Sequence, residues 1–511
     1  MSSAPTPAAS VLLVRGTHPQ EVFVVERSRS LRFFGGFLAF PGGKVHAVDG
    51  EILPRAEDGA PSDDQIPSDR YIAAARELFE ETGVLLARKP DGAFLAASDD
   101  LASRRREFIE EPKHFGSWMK EQHLSIWKSD FLLLGNLVTP SFAPLRFDTS
   151  FFLANLPAGQ EATVWPGELD QGWWSAPAEV IRRWTRGQCL VSPPSLLILE
   201  GMLDCPSEDL PRRLARLFGL HNGEQSPPVF LSPEVQVIPL KTLALPPSTH
   251  TNCYLVGRDP AYLLDPGAAE AGEQNRLKAM LEERLAAGVR LKAIVLSHHH
   301  PDHVGAAAVC SHHFGVPIWA HSWTAQALAK KMRVSGMIEP GDRLDLGSAP
   351  DGDGTWHLEA VGTPGHAPGH LVFYEPRYQL LFAGDMVSTQ SSIVIVPPQG
   401  DLGVYMNSLR LIREYPCRLL LPSHGAASSR AVETIDESIA HRLKREELLT
   451  AALGPEPRTV RDLALELYKG VPEHLMRFAE LQVLSGLYKL RQENKAVEAA
   501  AGDGKSWCSA S

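Results

Sequence analysis

The sequence predicts a multidomain chain of α/β and α+β character, on three observations. Its 511 residues exceed what one hydrophobic core holds, and ordinary domain sizes give roughly three domains. Apolar strand-like runs begin twice, near residue 10 and again after residue 234, with a Pro/Gly/Ser-rich stretch between them. Beyond the His-Gly pair at 424 and 425, apolar residues recur at three- and four-residue spacing, the period of a helix.

Taken in order, "ASVLLVRG" and "EVFVVERS" read as paired strands opening a first domain over residues 1–228. "HNGEQSPPVFLSPE" (221–234) reads as the linker. "VQVIPLKTLAL", "TNCYLVG" and "AYLLDPG" then open a second strand-rich domain over 229–432. A helical domain over 433–500 follows, and "AGDGKSWCSAS" (501–511) is expected to be a disordered tail.

Composition is that of a globular protein, with 44% apolar and 22% charged residues. No apolar run reaches the roughly 18 to 20 residues that span a bilayer, and the start lacks a signal-peptide pattern, so a cytoplasmic location without membrane contact is expected. The six scattered cysteines carry no CxxC spacing and fit reduced thiols. A net charge of −11 argues against bulk coating of nucleic acid. Oligomeric state stays open.

The most informative stretch is "SHHHPDHVG" (297–305). It follows the apolar run "LKAIVL", which places it on the loop at a buried strand's C-terminal end, where chemistry commonly sits. His298, His300, Asp302 and His303 offer imidazole and carboxylate donors at a spacing that can feed two adjacent metals. "GTPGHAPGH" (362–370), "LLFAGD" (380–385) and "LPSHG" (421–425) each add one candidate ligand on a turn or strand end: His366, Asp385 and His424.

This series resembles the metallo-β-lactamase fold, an αββα sandwich with a dinuclear metal centre. The resemblance implies His298, His300 and His366 around one metal and Asp302, His303 and His424 around the other, with Asp385 between them. It implies two zinc ions, or manganese or iron, and a metal-activated water for hydrolysis of a thioester, ester or phosphodiester, with Asp302 as a catalytic residue orienting that water. His299 has no motif role, and His370 either supports a ligand or faces substrate. Only 38 residues separate Asp385 from His424, too few for the large inserted domain of the superfamily's RNA-processing nucleases. The stretch from His441 to Val497 resembles the winged-helix-like tail of the β-lactamase-like protein 2 group, whose members are linked to single-stranded RNA cleavage. Residues 441–500 carry ten Lys/Arg against nine Asp/Glu, too balanced for a strong phosphate magnet. RNA binding, a cap over the active-site rim and a dimer contact stay open for it.

The first domain carries a second motif. In "YIAAARELFEETGVLL" (71–86), Glu77, Glu80 and Glu81 stand at i, i+3 and i+4 and so project from one face of a helix ending at Thr82-Gly83. Such clustered carboxylates are a solvated face or a site for hard cations such as Mg²⁺ or Mn²⁺. Together with "GGFLAFPGGKVHAVDG" (35–50) before it, "RELFEETGV" resembles the Nudix box of hydrolases acting on nucleoside diphosphates linked to another group, which implies an α/β/α sandwich with Mg or Mn. Glu77, Glu80 and Glu81 would be its metal-binding and catalytic residues, and Arg76, which opens the matching stretch, is a further candidate site residue. Asp49 stands where the box has its first glutamate, and about 19 extra residues near 50–69 separate it from Arg76. Their Pro, Asp and Ser content predicts an exposed loop. Glu168 is a candidate late carboxylate, and Arg32 a candidate phosphate contact. The flanks "RSRSLRFFGGFLAFPGGKV", "NLVTPSFAPLRFDTSFFLA" and "GWWSAPAEVIRRWTRGQCLVSPPSLLILEGML" resemble the Nudix motif 19 group, associated with CoA and acyl-CoA diphosphates.

The reading is therefore a bifunctional metal-dependent hydrolase acting on small molecules: nucleoside diphosphate or CoA derivatives at one head, thioesters at the other. Two alternatives remain: the second half is a single-stranded RNA endonuclease with RNA as partner, or the Nudix head is a nucleotide- or CoA-sensing module.

Overall fold

A computed structural model describes residues 4–16, 20–56, 66–139, 145–203, 205, 209–222, 228–501 and 504–510. Parts of four segments read above lie outside the described residues: 57–65 of the insertion, 140–144, 223–227 of the linker, and 502, 503 and 511 of the tail. The chain divides into two units, Met1–Pro233 and Glu234–Ser511.

In the first unit an eight-stranded sheet runs in the order Leu132–Val138, Phe147–Asn155, Thr6–Arg15, Glu21–Arg27, Phe37–Ala39, Leu190–Val191, with Gly42–Lys44 and Leu169–Ser175 paired off that path. Side chains alternate across a strand, and the consecutive apolar run Val11-Leu12-Leu13-Val14 therefore serves both faces. Val11, Leu13, Phe23 and Val25 join Ile72, Ala75 and Phe79 of the helix Asp69–Thr82 in one core. Leu12, Val14, Val22 and Val24 join Val180, Ile198 and Leu214, from the helices Pro177–Thr185, Pro193–Met202 and Leu210–Asn222, in the other. The result is an α/β/α sandwich. The glutamate-bearing helix stops where Gly83 adopts φ 76° and returns its N–H to Phe79 O at 2.8 Å, the left-handed cap that glycine permits.

The described part of the insertion is largely exposed, with Glu51, Leu53 and Arg55 in solvent, while Ile52 and Ile66 at its edges pack against the core; Asp49, just before it, is buried within a 3₁₀ turn at Ala47–Glu51. Isoleucines at either end gain more from burial than from solvation, which ties the insertion down at both edges.

The second unit stacks two sheets. Gly336–Met337, Ile318–Ala320, Leu291–Leu296, Ala261–Leu264, His250–Gly257 and Val235–Lys241 lie side by side in that order; Arg343–Ser348, Thr355–Gly362, Leu371–Glu375, Leu380–Gly384 and Leu419–Pro422 form the other sheet. Between them Tyr254 meets Phe382 edge-on at 5.2 Å and donates its hydroxyl to Pro422 O at 2.8 Å. Helices Ala271–Ala286 and Ala307–Phe314 cover the first sheet through Leu277, Leu281 and Cys310. Helix Leu402–Arg413 covers the second through Tyr405, Met406 and Leu409. This is an αββα sandwich.

The helix Ala431–Ala452 belongs to two cores: Ala431 and Ile435 pack on the second sheet, whereas Leu449 packs with Leu463, Val483, Leu487 and Trp507. A cut at 432/433 therefore passes through a continuous helix. Helices Val460–Leu467 and Glu473–Gln492 complete the C-terminal domain, with a small sheet ordered Arg458–Thr459, Gly504–Ser509, Ala496–Ala501. The expected disordered tail is thus corrected. Gly504–Ser509 is the central strand of that sheet, held by the burial of Trp507, which is 0% exposed and the largest fully buried side chain among the described residues. Likewise Val229–Ser232, read as linker, is a strand with Leu231 and Ser232 buried. All six cysteines are free, and no helix among the described residues is long and apolar enough to cross a membrane.

Candidate metal centres

The strand Leu291–Leu296 ends beneath His298, and Pro301 then starts a four-residue helix, Pro301–Val304, that carries Asp302 and His303. Each further motif arrives from a strand end of the second sheet: His366 after Thr355–Gly362, Asp385 after Leu380–Gly384 and His424 after Leu419–Pro422. Their donor atoms converge in two sets, His298/His300/His366/Asp385 and Asp302/His303/His424, each with its ligating atoms within 4.8 Å of one another.

Hydrogen bonds behind the site fix which nitrogen faces inward. Ser297 Oγ donates to Asp265 Oδ2 at 2.6 Å and so accepts the Nδ1 proton of His298 at 2.9 Å. His303 Nδ1 donates to Asp265 Oδ2 at 3.0 Å, His366 Nδ1 to Val394 O at 3.0 Å, and His424 Nδ1 to His250 O at 3.0 Å. With these four Nδ1 protons engaged, four Nε2 lone pairs point at the centre. His300 presents Nδ1 instead, 3.0 Å from His298 Nε2 and 2.9 Å from His366 Nε2.

His298 Nε2 and His366 Nε2 are both acceptors, and a single proton on His300 Nδ1 cannot serve both fully, whereas a cation among the three nitrogens and the carboxylate would. Consistently, His303 Nε2 and Asp385 Oδ1 are buried without a hydrogen-bond partner. Asp385 reaches both sets, its Oδ2 3.4 Å from His366 Nε2 and its Oδ1 3.5 Å from His303 Nε2 and 3.3 Å from His424 Nε2. Asp302 Oδ2 lies 3.5 Å from His424 Nε2. The nitrogen-and-carboxylate donor set fits a pair of transition ions.

Burial, then neighbouring imidazoles, lower the pKa of His298 well below the usual histidine range and that of His300 to about 3, keeping both neutral and able to ligate. Burial opposes charge on His303 and His424 too, but Asp385 outweighs it and raises both. Burial also opposes charge on Asp385, which His424 and His303 nevertheless hold well below the carboxylate range.

His299 stays outside the cluster, with Nε2 3.1 Å from Gln399 Oε1. Buried, His370 accepts the Asp385 N–H at 3.0 Å through Nε2 and meets Thr363 Oγ1 at 2.8 Å through Nδ1, a position behind Asp385. Glycine suits position 384 on two counts, its φ of 51° and the 2.6 Å at which a Cβ would meet that same Nε2. Asp265 was missed in the sequence, although "AYLLDPG" carries it; it sits at φ 50° and accepts from the Ser297 N–H at 2.7 Å.

In the first unit, Arg76 is the hub. Its guanidinium pairs with Asp49 through two parallel bonds of 2.9 and 3.0 Å, and donates to Glu77 Oε1 and Glu80 Oε2 at 3.0 Å each and to Lys44 O at 2.9 Å. Glu81 Oε2 accepts from Gly42 N at 2.8 Å. Gly43 is required by closeness: a Cβ there would lie 2.5 Å from the Glu77 carboxylate. Burial raises Glu77, raises Glu80 to about 8 and raises Glu81 well above the carboxylate range. Partly buried carboxylates on one face, with Glu80 Oε1 itself buried and unpartnered, suit a hard cation. Glu168 is exposed and close enough that its charge adds to the rise of Glu77 and Glu81, whereas Arg32 lies exposed.

Comparison with known proteins matches this geometry. Residues 247–424 match the metallo-beta-lactamase superfamily. The "Lactamase-like protein nscB" of Trichophyton rubrum is 30% identical over 273 residues, covering 50% of this chain and 77% of that protein. The chain belongs to the metallo-beta-lactamase superfamily. Residues 51–202 match the NUDT19 Nudix domain and 459–507 the beta-lactamase associated winged helix domain. Thus a Nudix domain, a metallo-beta-lactamase domain and a winged-helix domain follow one another in this superfamily member. The "Beta-lactamase-like protein 2 homolog" of Caenorhabditis elegans is 28% identical over 230 residues, covering 43% of this chain and 72% of its own. The "Atrochrysone carboxyl ACP thioesterase" of Emericella nidulans is 28% identical over 309 residues, covering 59% of this chain and 92% of its own.

Proposed function

We propose that the chain is a two-headed hydrolase whose metallo-beta-lactamase head cleaves a thioester and whose Nudix head cleaves a CoA-type nucleoside diphosphate. The observation that carries the reading is the convergence of seven ligand side chains into two adjoining sets around Asp385. Two bound transition ions, zinc by the donor chemistry, would supply Lewis acidity and a nucleophilic water at neutral pH. The chain's own part is to keep His298, His300 and His366 neutral, to hold Asp385 ionised between the sets, and to place Asp302 beside them. Water adds to the thioester carbonyl and the products are a carboxylic acid and a free thiol.

The thioester is supported by the relative named as an acyl-carrier thioesterase. A CoA-type diphosphate is supported by the match to the NUDT19 Nudix domain and by the oxygen-only donors Glu77, Glu80 and Glu81, which suit Mg²⁺ or Mn²⁺ on a pyrophosphate. Both heads would then serve acyl-CoA turnover.

Incubation with a panel of acyl-CoAs and with labelled single-stranded RNA, in Mg²⁺, Mn²⁺ and then Zn²⁺, tests the reading. Thiol release abolished by His300→Ala, and diphosphate cleavage abolished separately by Glu80→Gln, are the expected results. RNA cleavage with acyl-CoA untouched would replace the thioesterase reading by a nuclease. Retained diphosphate cleavage in Glu80→Gln would make the Nudix site something other than the assigned one.

A further inference from the structure

His366 depends on a carbonyl that the fold itself does not secure. Val394, whose oxygen takes the His366 Nδ1 proton, sits in residues 392–396, which have no regular secondary structure. Ile393 and Ile395 are buried there, and the carbonyls of buried residues outside regular structure need partners from elsewhere. Those on either side of Val394 find them on the C-terminal helices. Arg442, on Ala431–Ala452, donates Nη2 to Ile393 O; Gln482, on Glu473–Gln492, donates Nε2 to Ile395 O at 3.1 Å. The two side chains are joined by a 2.9 Å bond from Arg442 Nη1 to Gln482 Oε1. Arg442 is buried, and its guanidinium lies 5.4 Å from the Tyr405 ring, whose hydroxyl donates to the carbonyl of Met386, next to Asp385.

The backbone before His366 is tied from the same direction. Gly365 O accepts from Asp401 N at 2.8 Å, and Asp401 Oδ2 accepts from Gln492 Nε2 at 3.2 Å. Helix Glu473–Gln492 therefore bonds directly to the segment that orients the ring, and reaches the residue preceding the ligand through Asp401.

We propose that Arg442 and Gln482 are positioning residues for His366, through which the winged-helix domain sets the affinity of the three-histidine metal position. Burying a guanidinium is costly unless its hydrogen bonds are made, and here Arg442 makes them to Ile393 O and to Gln482, whose amide in turn holds Ile395 O. Outer partners that orient a ligating imidazole commonly change metal affinity 10- to 100-fold. The proposal rests on the two-metal reading of the site but on no substrate.

The test uses the full chain carrying Arg442→Met or Gln482→Ala, with Zn²⁺ affinity measured by competition against a chromophoric chelator and the Co²⁺ absorption spectrum as a second readout. One of the two ions should bind about tenfold more weakly and its Co²⁺ bands should shift, while the other ion is unaffected. Arg442→Lys, which can still reach Ile393 O, should recover most of the loss. Arg445→Met removes a bond to Leu467 O and a contact with the Tyr468 ring, both within the C-terminal domain, and should leave both ions as in the parent. Parental affinity for both ions in Arg442→Met and Gln482→Ala would overturn the proposal, as would an equal loss in Arg445→Met. If Arg442→Met fails to fold, Gln482→Ala decides. A parent chain that binds no transition ion would sink the two-metal reading itself, a result distinct from a failure of the positioning role alone.

Discussion

Asp49 and Arg76 form a two-point ion pair with both side chains almost wholly buried, 1% and 0% exposed, across the insertion that separates them in sequence. The pair brings the Gly-rich turn at 42–44 onto the glutamate helix, because Arg76 also binds Lys44 O while Gly42 N binds Glu81. Burial opposes the charge on Arg76, but the Asp49 bonds outweigh it and raise its pKa. Removing one partner of such a pair strands a buried charge. Asp49→Ala should therefore destabilise the first unit by about 3 to 5 kcal/mol. Asp49→Glu should retain more stability than Asp49→Ala. Chemical denaturation of the three proteins checks this, and an Asp49→Ala transition at the parental midpoint would contradict it.

What was legible in the sequence follows from what is local. His298, His300, Asp302 and His303 fall within six residues, and the three remaining ligands each close a short strand-and-turn motif; the residues announce themselves by type and spacing. Glu77, Glu80 and Glu81 are legible for the same reason, since one helical turn fixes them on one face. The supports were not legible. Val394 acts through a backbone carbonyl that any residue could supply, and Arg442 and Gln482 lie 49 and 87 residues from the carbonyls they bind. The tail was misread because Ala, Gly and Ser around Trp507 suggest disorder, while the single indole decides its burial.

Asp265 holds two ligand supports at once, accepting from Ser297 Oγ and from His303 Nδ1 on the same oxygen. Asp265→Ala should free both rings and weaken transition-metal affinity about 10- to 100-fold, with circular dichroism unchanged. Chelator competition measures it. A variant binding metal as the parent does would show that the backbone alone holds His298 and His303.

Trp507 fills the C-terminal core against Tyr488, ring centroids 5.7 Å apart. Trp507→Ala should cost about 3 to 5 kcal/mol in that domain, as large-to-small changes at buried aromatics do. Thermal unfolding should show an earlier transition. Since the same domain supports His366, the variant should also load less metal above that transition's onset.

The partly buried carboxylates of the Nudix site make the first unit's stability depend on pH in a direction that metal should oppose. Burial, only partly offset by Arg76, raises Glu80 from 4.5 to about 8, and burial raises Glu77 and Glu81 as well. Between these two values the folded state keeps the Glu80 proton while the unfolded chain releases it. The unfolded state thus binds fewer protons, and stability falls as pH rises through that window. In chelator, the melting temperature of the first unit should decline from about pH 5 to about pH 8, and Glu80→Gln should flatten the decline. Saturating Mg²⁺ or Mn²⁺ favours the ionised carboxylates, so the stabilisation by metal should be larger at the upper end of the window than at the lower. Thermal scans with and without Mg²⁺ at the two pH values decide it: a metal effect that shrinks as pH rises would show that these glutamates do not hold the cation.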